Sequence, residues 1–425
     1  MIDVVAHGTG EASALPVPIT FALIGGSWAL AGSFAVLALA WRKPRLRPSG
    51  HFASVGNAFT AVADSAITRT ILGVVGIVIS AATLILGVVA DDEHNPLAGT
   101  FYALLWVGLV PLSLIFGPVW RLISPLRAVH GFVCRTVGLD PERELLAYPA
   151  WLGRWPAALG LFAFVWIELC SSNRGSTDAI LIWLIVYAVI VGVGAILFGR
   201  RWFASADPFE VFSETVATMS LLARNPDDRS LMLRGPLSGL SSYGSGPGSV
   251  AVIAVLLGST AFDSFTRIAM PHSMIERTGV MAAFIIGVAA TFAAASMATG
   301  GVTSAQRRAL PGTLAHSLIP IVVGYLIAHY ATYFVEEGQE AVGAWWVSLT
   351  SGDEPGVWRA FTEHPAIPAS IAVSAVVIGH ILAVIAAHDA ALRALPRRHQ
   401  LTGQLALMLL MVGYTFTGLY LLFGA

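Results

Sequence analysis

Ten apolar stretches of about 20 residues, separated by polar connections, constrain this chain more than any other feature. They are Val17–Trp41, Ala66–Ala90, Ala98–Gly117, Trp151–Ser171, Ala179–Gly199, Ser249–Arg267, Gly279–Gly300, Pro311–Val335, Ile367–His388 and Gly403–Phe423. Each stretch is long enough to cross a bilayer as an α-helix. The charged fraction is 12%, about half of the 25% that is usual in soluble domains. The sequence therefore predicts an all-α, polytopic integral membrane bundle with about ten transmembrane helices.

The basic residues predict how these helices are oriented. The chain has 24 lysine and arginine residues, and all but four fall in or beside the odd-numbered connections. The four exceptions are Arg174, Arg267, Arg277 and Arg359. Lysine and arginine are enriched in cytoplasmic loops, so the odd connections are predicted to be cytoplasmic and both termini extracytoplasmic.

The connections add detail to a chain that we interpret as a single transmembrane domain over 1–425. The cytoplasmic connections 118–150 and 200–248 contain apolar residues at helical spacing among arginines, which predicts amphipathic helices there. The segment 336–366 is rich in carboxylates and is predicted to be an extracytoplasmic acidic loop. We find no internal repeat of the kind that many transporters contain.

Net charge and cysteine content narrow the classes of partner. The net charge is −1 and there are two cysteines, Cys134 and Cys170, which are not in a CxxC motif. Nothing here favours nucleic-acid binding or a cysteine metal site. The predicted partners are the lipid bilayer, a small-molecule or ion substrate, and other proteins of a membrane complex.

Ionisable residues within the apolar stretches are the best candidates for function, because such groups are costly inside a bilayer. Their predicted depths sort them into two clusters. The outer cluster is His7, Glu168, Asp263 and His329, and the inner cluster is His316, His380, His388 and Asp389. For any single histidine the alternative is a packing residue that forms hydrogen bonds between helices.

Spacing within the eighth stretch limits which residues share a site. His316 and His329 are separated by about 20 Å along a helix axis, so they cannot bind one metal ion. Pro320 and Gly324 are predicted to kink the helix between them. Tyr325 lies one turn before His329, where it can orient the imidazole or donate to a bound anion.

Imidazole and carboxylate groups together suit a transition metal such as zinc, iron or copper. The predicted metal ligands are His7, Asp263, His329, His388 and Asp389. Glu168 is predicted to be the general base and Tyr325 a second catalytic group. Haem b is the alternative cofactor, with His316 and His380 as the predicted cofactor-binding residues.

Several short segments resemble the actinobacterial membrane proteins that are called fenitrothion hydrolases. They are Ala6-His7-Gly8-Thr9-Gly10, Leu256-Leu257-Gly258-Ser259-Thr260-Ala261-Phe262-Asp263, Ala315-His316-Ser317-Leu318-Ile319-Pro320, Ala328-His329-Tyr330, Gly379-His380 and Ala387-His388-Asp389. The resemblance extends over nearly the whole chain. It implies a bacterial cell-membrane hydrolase of organophosphorus triesters that shares these histidines and aspartates, without assigning a role to each.

Three functions follow from these observations. The first is a metal-dependent membrane hydrolase of phosphotriester-like substrates, with its His/Asp site in the outer half of the bundle. The second is a transporter of metal ions or protons, in which the two clusters are stations on a path. The third is a haem-binding or accessory subunit of a larger membrane complex.

Overall fold

Helices form nearly all of the regular structure in the computed structural model, which describes residues 15, 18–46, 53–91, 94–173, 175–350 and 352–424. The α-helices are α1 Ile19–Ala40, α2 Asn57–Asp64, α3 Ala66–Val89, α4 Leu97–Gly99, α5 Leu109–Phe116, α6 Trp120–Ile123, α7 Pro125–Thr136, α8 Trp155–Leu169, α9 Thr177–Phe198, α10 Arg200–Ala206, α11 Pro208–Ala217, α12 Ser249–Phe265, α13 Met274–Met297, α14 Ser304–Leu314, α15 Ile319–Thr350, α16 Ala360–Glu363, α17 Ala366–Ala394 and α18 Leu405–Phe423. The segment Thr100–Val107, between α4 and α5, is π-helical.

The apolar helices have the dimensions and the surface of membrane-spanning segments. Within the described ranges, eight are long and apolar enough to cross a bilayer, and two shorter apolar helices, Trp155–Leu169 and Ser249–Phe265, lie at the predicted fourth and sixth positions. Large apolar side chains such as Trp28, Val88 and Ile185 face outward. A water-soluble protein does not expose apolar surface on this scale, so this is a multi-pass membrane protein.

The chain divides into two compact units. The first comprises Met1–Pro48, Leu240–Glu336 and Trp358–Ala425, and the second comprises Ser49–Gly239 and Glu337–Val357. The interpretation of the sequence as one transmembrane domain stays a prediction, and the two units are described separately below.

Helix α12 is the most buried helix among those described in the first unit. Of its 17 residues, 13 are buried, including Asp263 and Ser264 in the last turn. Small residues allow the close packing, because a side chain at Gly258 would come within 2.6 Å of the Ile285 Cα atom on α13. Polar side chains at the end of α12 are therefore held inside protein.

The helix at the eighth apolar stretch differs from its predicted form in two ways. It begins as α14, passes through a 3-10 turn at Ala315–Leu318 and continues as α15, which runs for 32 residues to Thr350. The turn ends just before Pro320, which cannot donate a backbone hydrogen bond and occupies the first turn of α15. Residues 336–350, which we predicted to be loop, are helical because glutamate, glutamine and alanine there favour helix.

Helices α15 and α17 cross with their backbones in contact. A β-carbon at Gly324 would lie 2.4 Å from the Ala375 carbonyl oxygen, and one at Gly379 would lie 2.6 Å from the Pro320 carbonyl oxygen. Only glycine permits this approach, as at other small-residue crossings in membranes. The crossing fixes the backbones next to Tyr325 and His380.

The second unit contains α2 to α11 and a three-stranded antiparallel sheet. The strands are β1 Ala53–Ser54, β2 Leu222–Arg224 and β3 Leu231–Leu233, in the order β1-β3-β2. We predicted an amphipathic surface helix near residues 204–223. Instead, nine of the ten residues of α11 are buried, because its polar side chains pair with groups from other helices of this unit.

Candidate functional site

An aspartate and a histidine from different helices meet inside the first unit. Asp263 lies in the last turn of α12, and His329 lies in the first half of α15. The His329 Nε2 atom is 2.7 Å from Asp263 Oδ2, a distance typical of a strong imidazole–carboxylate hydrogen bond. The structure thus brings together two residues that we assigned to the outer cluster.

Ser264, the neighbour of Asp263 in the chain, extends this pair to three side chains. Its Oγ atom is 3.1 Å from His329 Nδ1. The hydroxyl of Tyr325 donates to Ser264 Oγ at 3.0 Å, and the hydroxyl of Tyr330 donates to Asp263 Oδ2 at 3.3 Å. Tyr325 therefore contacts the imidazole through Ser264.

The hydrogen bonds define which ring nitrogen of His329 carries the proton. A carboxylate only accepts hydrogen bonds, so Nε2 donates to Asp263. The Nδ1 atom is then an acceptor, which agrees with an Arg267 guanidinium nitrogen 3.5 Å away. The hydroxyl of Ser264 has two acceptors for its single proton, His329 Nδ1 at 3.1 Å and the Thr260 carbonyl oxygen at 3.2 Å. A carboxylate, an imidazole and a hydroxyl in this order are the parts of an activated nucleophile.

Burial makes these interactions stronger than they would be in water. Ser264 is 0% exposed and His329 is 1% exposed. A surrounding of low dielectric constant strengthens each hydrogen bond and ion pair. The positive charge of Arg267 beside the imidazole also favours negative charge that develops at Ser264.

His380 contributes a different kind of group to the first unit. Its Nδ1 atom is 2.8 Å from the Val376 carbonyl oxygen, so Nδ1 donates and Nε2 is left as an acceptor. The Nε2 atom has no hydrogen-bond partner among the described residues, although the residue is only 2% exposed. His380 and Tyr325 line the same pocket.

The predicted inner cluster is divided between separate contacts. His388 has its Nε2 atom 2.8 Å from the Trp41 carbonyl oxygen and its Nδ1 atom 3.0 Å from Gln404 Oε1. Asp389 accepts from the backbone nitrogens of Arg45 at 2.5 Å and Leu46 at 3.2 Å. These contacts attach the segment that follows α1 to helix α17. The role of His388 and Asp389 in them is structural.

Two further observations complete this cluster. Asp389 also pairs with Arg393 one turn later on α17, the ion pair that its spacing predicts. His316 lies in the 3-10 turn before α15 and is half-buried, within electrostatic range of both charges.

Glu168 and His7 are the remaining predicted site residues. Glu168 is buried near the end of α8 and belongs to the second unit. His7 lies outside the described residues. Within the ranges that the structure covers, no group of three or more histidines, cysteines and carboxylates could hold a metal ion. Asp263 and His329, the two predicted ligands that meet, bind each other. The zinc, iron or copper site and the haem site stay predictions.

The second unit contains a buried polar network that the sequence did not predict. Asp207 accepts from Trp120 Nε1 at 3.2 Å and from the Tyr187 hydroxyl at 3.1 Å. Three residues on, Glu210 accepts two hydrogen bonds from Arg127, at 2.7 and 2.9 Å. Both carboxylates are 0% exposed. Asp207 also caps the start of α11, because its side chain accepts hydrogen bonds from the backbone nitrogens of Phe209 and Glu210.

Burial raises the pKa of Asp207 to about 7, and the nearby Glu210 charge acts in the same direction, while the Trp120, Glu210 backbone and Tyr187 hydrogen bonds oppose it. The folded state therefore keeps this proton over a pH range in which the unfolded chain, with an ordinary aspartate pKa, has lost it. Asp207 thus makes the free energy of unfolding fall as pH rises from about 4 to about 7, by on the order of 1.4 kcal/mol per pH unit.

Replacing Asp207 by asparagine is expected to remove this dependence. Asparagine resembles the protonated acid, so the variant should match wild type near pH 4 and be more stable than wild type near pH 7. Thermal unfolding of the detergent-solubilised proteins at both pH values measures the difference. The control is Asp228→Asn, because Asp228 is exposed and hydrogen bonds from Ser230 lower its pKa. Equal pH slopes in D207N and wild type would contradict the prediction.

Sequence reasoning missed part of the first-unit site as well. No catalytic or metal-binding role was predicted for Ser264, Arg267 or Tyr330. The available signal was a hydroxyl residue directly beside a carboxylate inside an apolar helix.

Comparisons of the chain with known protein families, curated proteins and solved structures gave no match.

Proposed function

We propose that the protein is an integral membrane hydrolase in which Ser264 is the nucleophile and His329 is its general base. The observation that carries the proposal is the buried series of hydrogen bonds from Ser264 through His329 to Asp263. In this arrangement the carboxylate holds the imidazole in the tautomer that accepts a proton from the hydroxyl.

The reaction follows from this geometry. Ser264 Oγ attacks the carbonyl carbon or phosphorus of an ester and gives its proton to His329 Nδ1. The imidazolium then protonates the leaving alcohol as the ester bond breaks, and a covalent acyl- or phosphoryl-serine remains. Water hydrolyses that intermediate with His329 again as the base. Tyr325 and Arg267 are the donors near Ser264 that can stabilise negative charge on the reacting oxygen.

The substrate class follows from the surroundings of the site and from the resemblance of the sequence to fenitrothion hydrolases. The site lies among apolar helices, so the substrate is a lipophilic ester that partitions into the membrane. Organophosphorus triesters are one such class. The proposal differs from the metal-dependent mechanism that we predicted, since His329 and Asp263 here bind one another.

The experiment that tests the proposal is covalent labelling with a fluorophosphonate, which reacts with activated serines. The full-length protein in lipid vesicles should acquire the label on Ser264, identified by mass spectrometry of the modified peptide. Labelling that never involves Ser264, in protein shown to be folded by its thermal unfolding, would overturn the assignment.

Proton transfer is a second candidate function. The hydrogen bonds continue from Tyr325 through Ser264 and His329 to Asp263, and such a series can move protons. Vesicles that contain the protein would then dissipate an imposed pH gradient, and His329→Gln would slow the dissipation.

The proposed topology has ten crossings in a bacterial cell membrane, with both termini extracytoplasmic. Its support is the alternation of basic residues between connections, together with the eight long and two shorter apolar helices of the described ranges. A reporter that is active only in the cytoplasm should be inactive when fused after residue 424. The same reporter inserted between α13 and α14, in a connection that is predicted to be cytoplasmic, should be active. An active C-terminal fusion would show that the count of crossings is wrong.

A further inference from the structure

A pocket of about 540 Å³ lies between helices of the first unit. Its volume is within the range of small-molecule sites, roughly 300–1,000 Å³. The walls are mainly apolar and include Leu257, Phe284, Ile321 and Leu421. Among the described residues that line it, none is an aspartate, glutamate, lysine or arginine. The pocket therefore suits a neutral, lipophilic molecule, since an ion would lose its hydration without gaining a partner.

Three hydroxyl groups at the pocket wall, those of Thr291, Tyr325 and Tyr414, are already bonded within the protein. Thr291 Oγ1 and the Tyr414 hydroxyl are 2.7 Å apart, and they also reach the carbonyl oxygens of Gly287 and Val288. The hydroxyl of Tyr325 is used by Ser264. These three hydroxyl groups therefore already have partners within the protein.

His380 Nε2 is different, because it is a buried acceptor for which the described residues provide no donor. Its orientation is fixed, since the other ring nitrogen bonds the Val376 carbonyl oxygen one turn earlier. The contact between Gly324 and Gly379 holds the two helix backbones beside it. An unpaired buried acceptor is destabilising, so a bound molecule that supplies a donor would remove that cost.

We propose that this pocket binds a neutral lipophilic alcohol or phenol, whose hydroxyl group donates a hydrogen bond to His380 Nε2. The apolar body of the molecule packs against α12, α13 and α18. The lining is mainly apolar, so a water molecule alone would find few of the two to four polar partners that an ordered water needs.

The pocket also touches the proposed catalytic residues. The side chain of Tyr325 lines the pocket and its hydroxyl donates to Ser264, and Gly418 leaves room for its ring, which a β-carbon there would approach to 3.2 Å. A molecule in the pocket would therefore lie one residue from the nucleophile. That this molecule is the substrate or the alcohol product rests on the proposed function, whereas the binding itself does not.

The test uses a long-chain alcohol that carries a photoreactive diazirine on its chain. The full-length protein in phosphatidylcholine vesicles is irradiated with this probe, and crosslinked peptides are identified by mass spectrometry. Crosslinks should fall on α13 or α18. Hexadecanol should compete for the site about tenfold better than hexadecyl methyl ether, which lacks the donor, because one hydrogen bond to a buried acceptor is of that size.

Variants distinguish the contribution of the hydrogen bond from the contribution of the cavity to probe binding. His380→Leu keeps the apolar volume and removes the acceptor, so the preference for the alcohol over the ether should disappear. His380→Gln keeps an acceptor and should retain part of it. Gly287→Leu should weaken binding of both compounds, because Gly287 lines the pocket and a side chain there meets no atom within 4 Å.

The outcomes also distinguish this inference from the proposed function. Wild-type protein that crosslinks the probe but hydrolyses no ester would count against the hydrolase and leave the pocket intact. Equal competition by the alcohol and the ether in wild type would overturn the inference. A Soret absorption band that His380→Leu abolishes would also overturn it, because His380 would then bind haem iron.

Discussion

Replacing Ser264 by alanine is expected to reduce ester hydrolysis by at least about 10³-fold, because the variant lacks the nucleophile. His329→Ala should have a comparable effect, since no base then accepts the serine proton. Asp263→Asn should cost about 10²–10⁴-fold, because an amide nitrogen facing His329 Nε2 favours the wrong tautomer. Release of 4-nitrophenol from a 4-nitrophenyl ester and from a 4-nitrophenyl phosphotriester measures all three.

The matched control for the serine variant is Ser259→Ala. Ser259 is also buried on α12, and its hydroxyl donates to the Leu256 carbonyl oxygen within the helix. It is not among the residues of the proposed site, so this variant should keep its activity. Similar thermal unfolding of both variants would show that the fold is preserved. Activity in Ser264→Ala equal to that of Ser259→Ala would exclude Ser264 as the nucleophile.

A chelator separates this mechanism from the metal-dependent one that we predicted. Hydrolysis through Ser264 needs no metal ion and should continue in EDTA, with the covalent adduct still detectable. Activity that chelation abolishes and zinc restores, without any adduct on Ser264, would instead favour a metal-bound water as the nucleophile.

The membrane character of the fold could be predicted because it depends on the hydrophobicity summed over successive residues. Twenty apolar residues in succession have few alternatives to a spanning helix, so the long apolar helices occur where the apolar stretches predicted them. The boundary of α15 could not be predicted in the same way. The polarity of residues 336–350 predicts a segment outside the bilayer. Their helix propensity nevertheless lets α15 continue to Thr350.

The sequence could predict how deep each candidate side chain lies in the membrane, but not which residues surround it. Counting residues along each helix gives the level of a side chain in the membrane, and that was enough to group Asp263 with His329. Depth does not tell which helices pack together, so it could not show that Glu168 lies on a helix of the second unit. Depth also could not show that the Trp41 carbonyl oxygen would bond His388 Nε2, since that contact joins residues 347 positions apart.

Replacing Arg127 by alanine is expected to destabilise the protein by about 3–5 kcal/mol, the usual cost of leaving a buried charge without its partner. Glu210 is 0% exposed and accepts two hydrogen bonds from Arg127. Arg121 lies 3.2 Å from Glu210 but is half exposed and makes a single contact, so it compensates only partly. Thermal unfolding in detergent should show the loss as a large fall in Tm.

The control is Arg135→Ala on the same helix, where the side chain is exposed, and its Tm should be close to that of wild type. A second variant identifies the cause. Adding Glu210→Gln to Arg127→Ala replaces the buried carboxylate by a neutral amide, so the double variant should be more stable than Arg127→Ala alone. If the double variant were the less stable of the two, packing of the arginine stem rather than the unpaired charge would explain the loss.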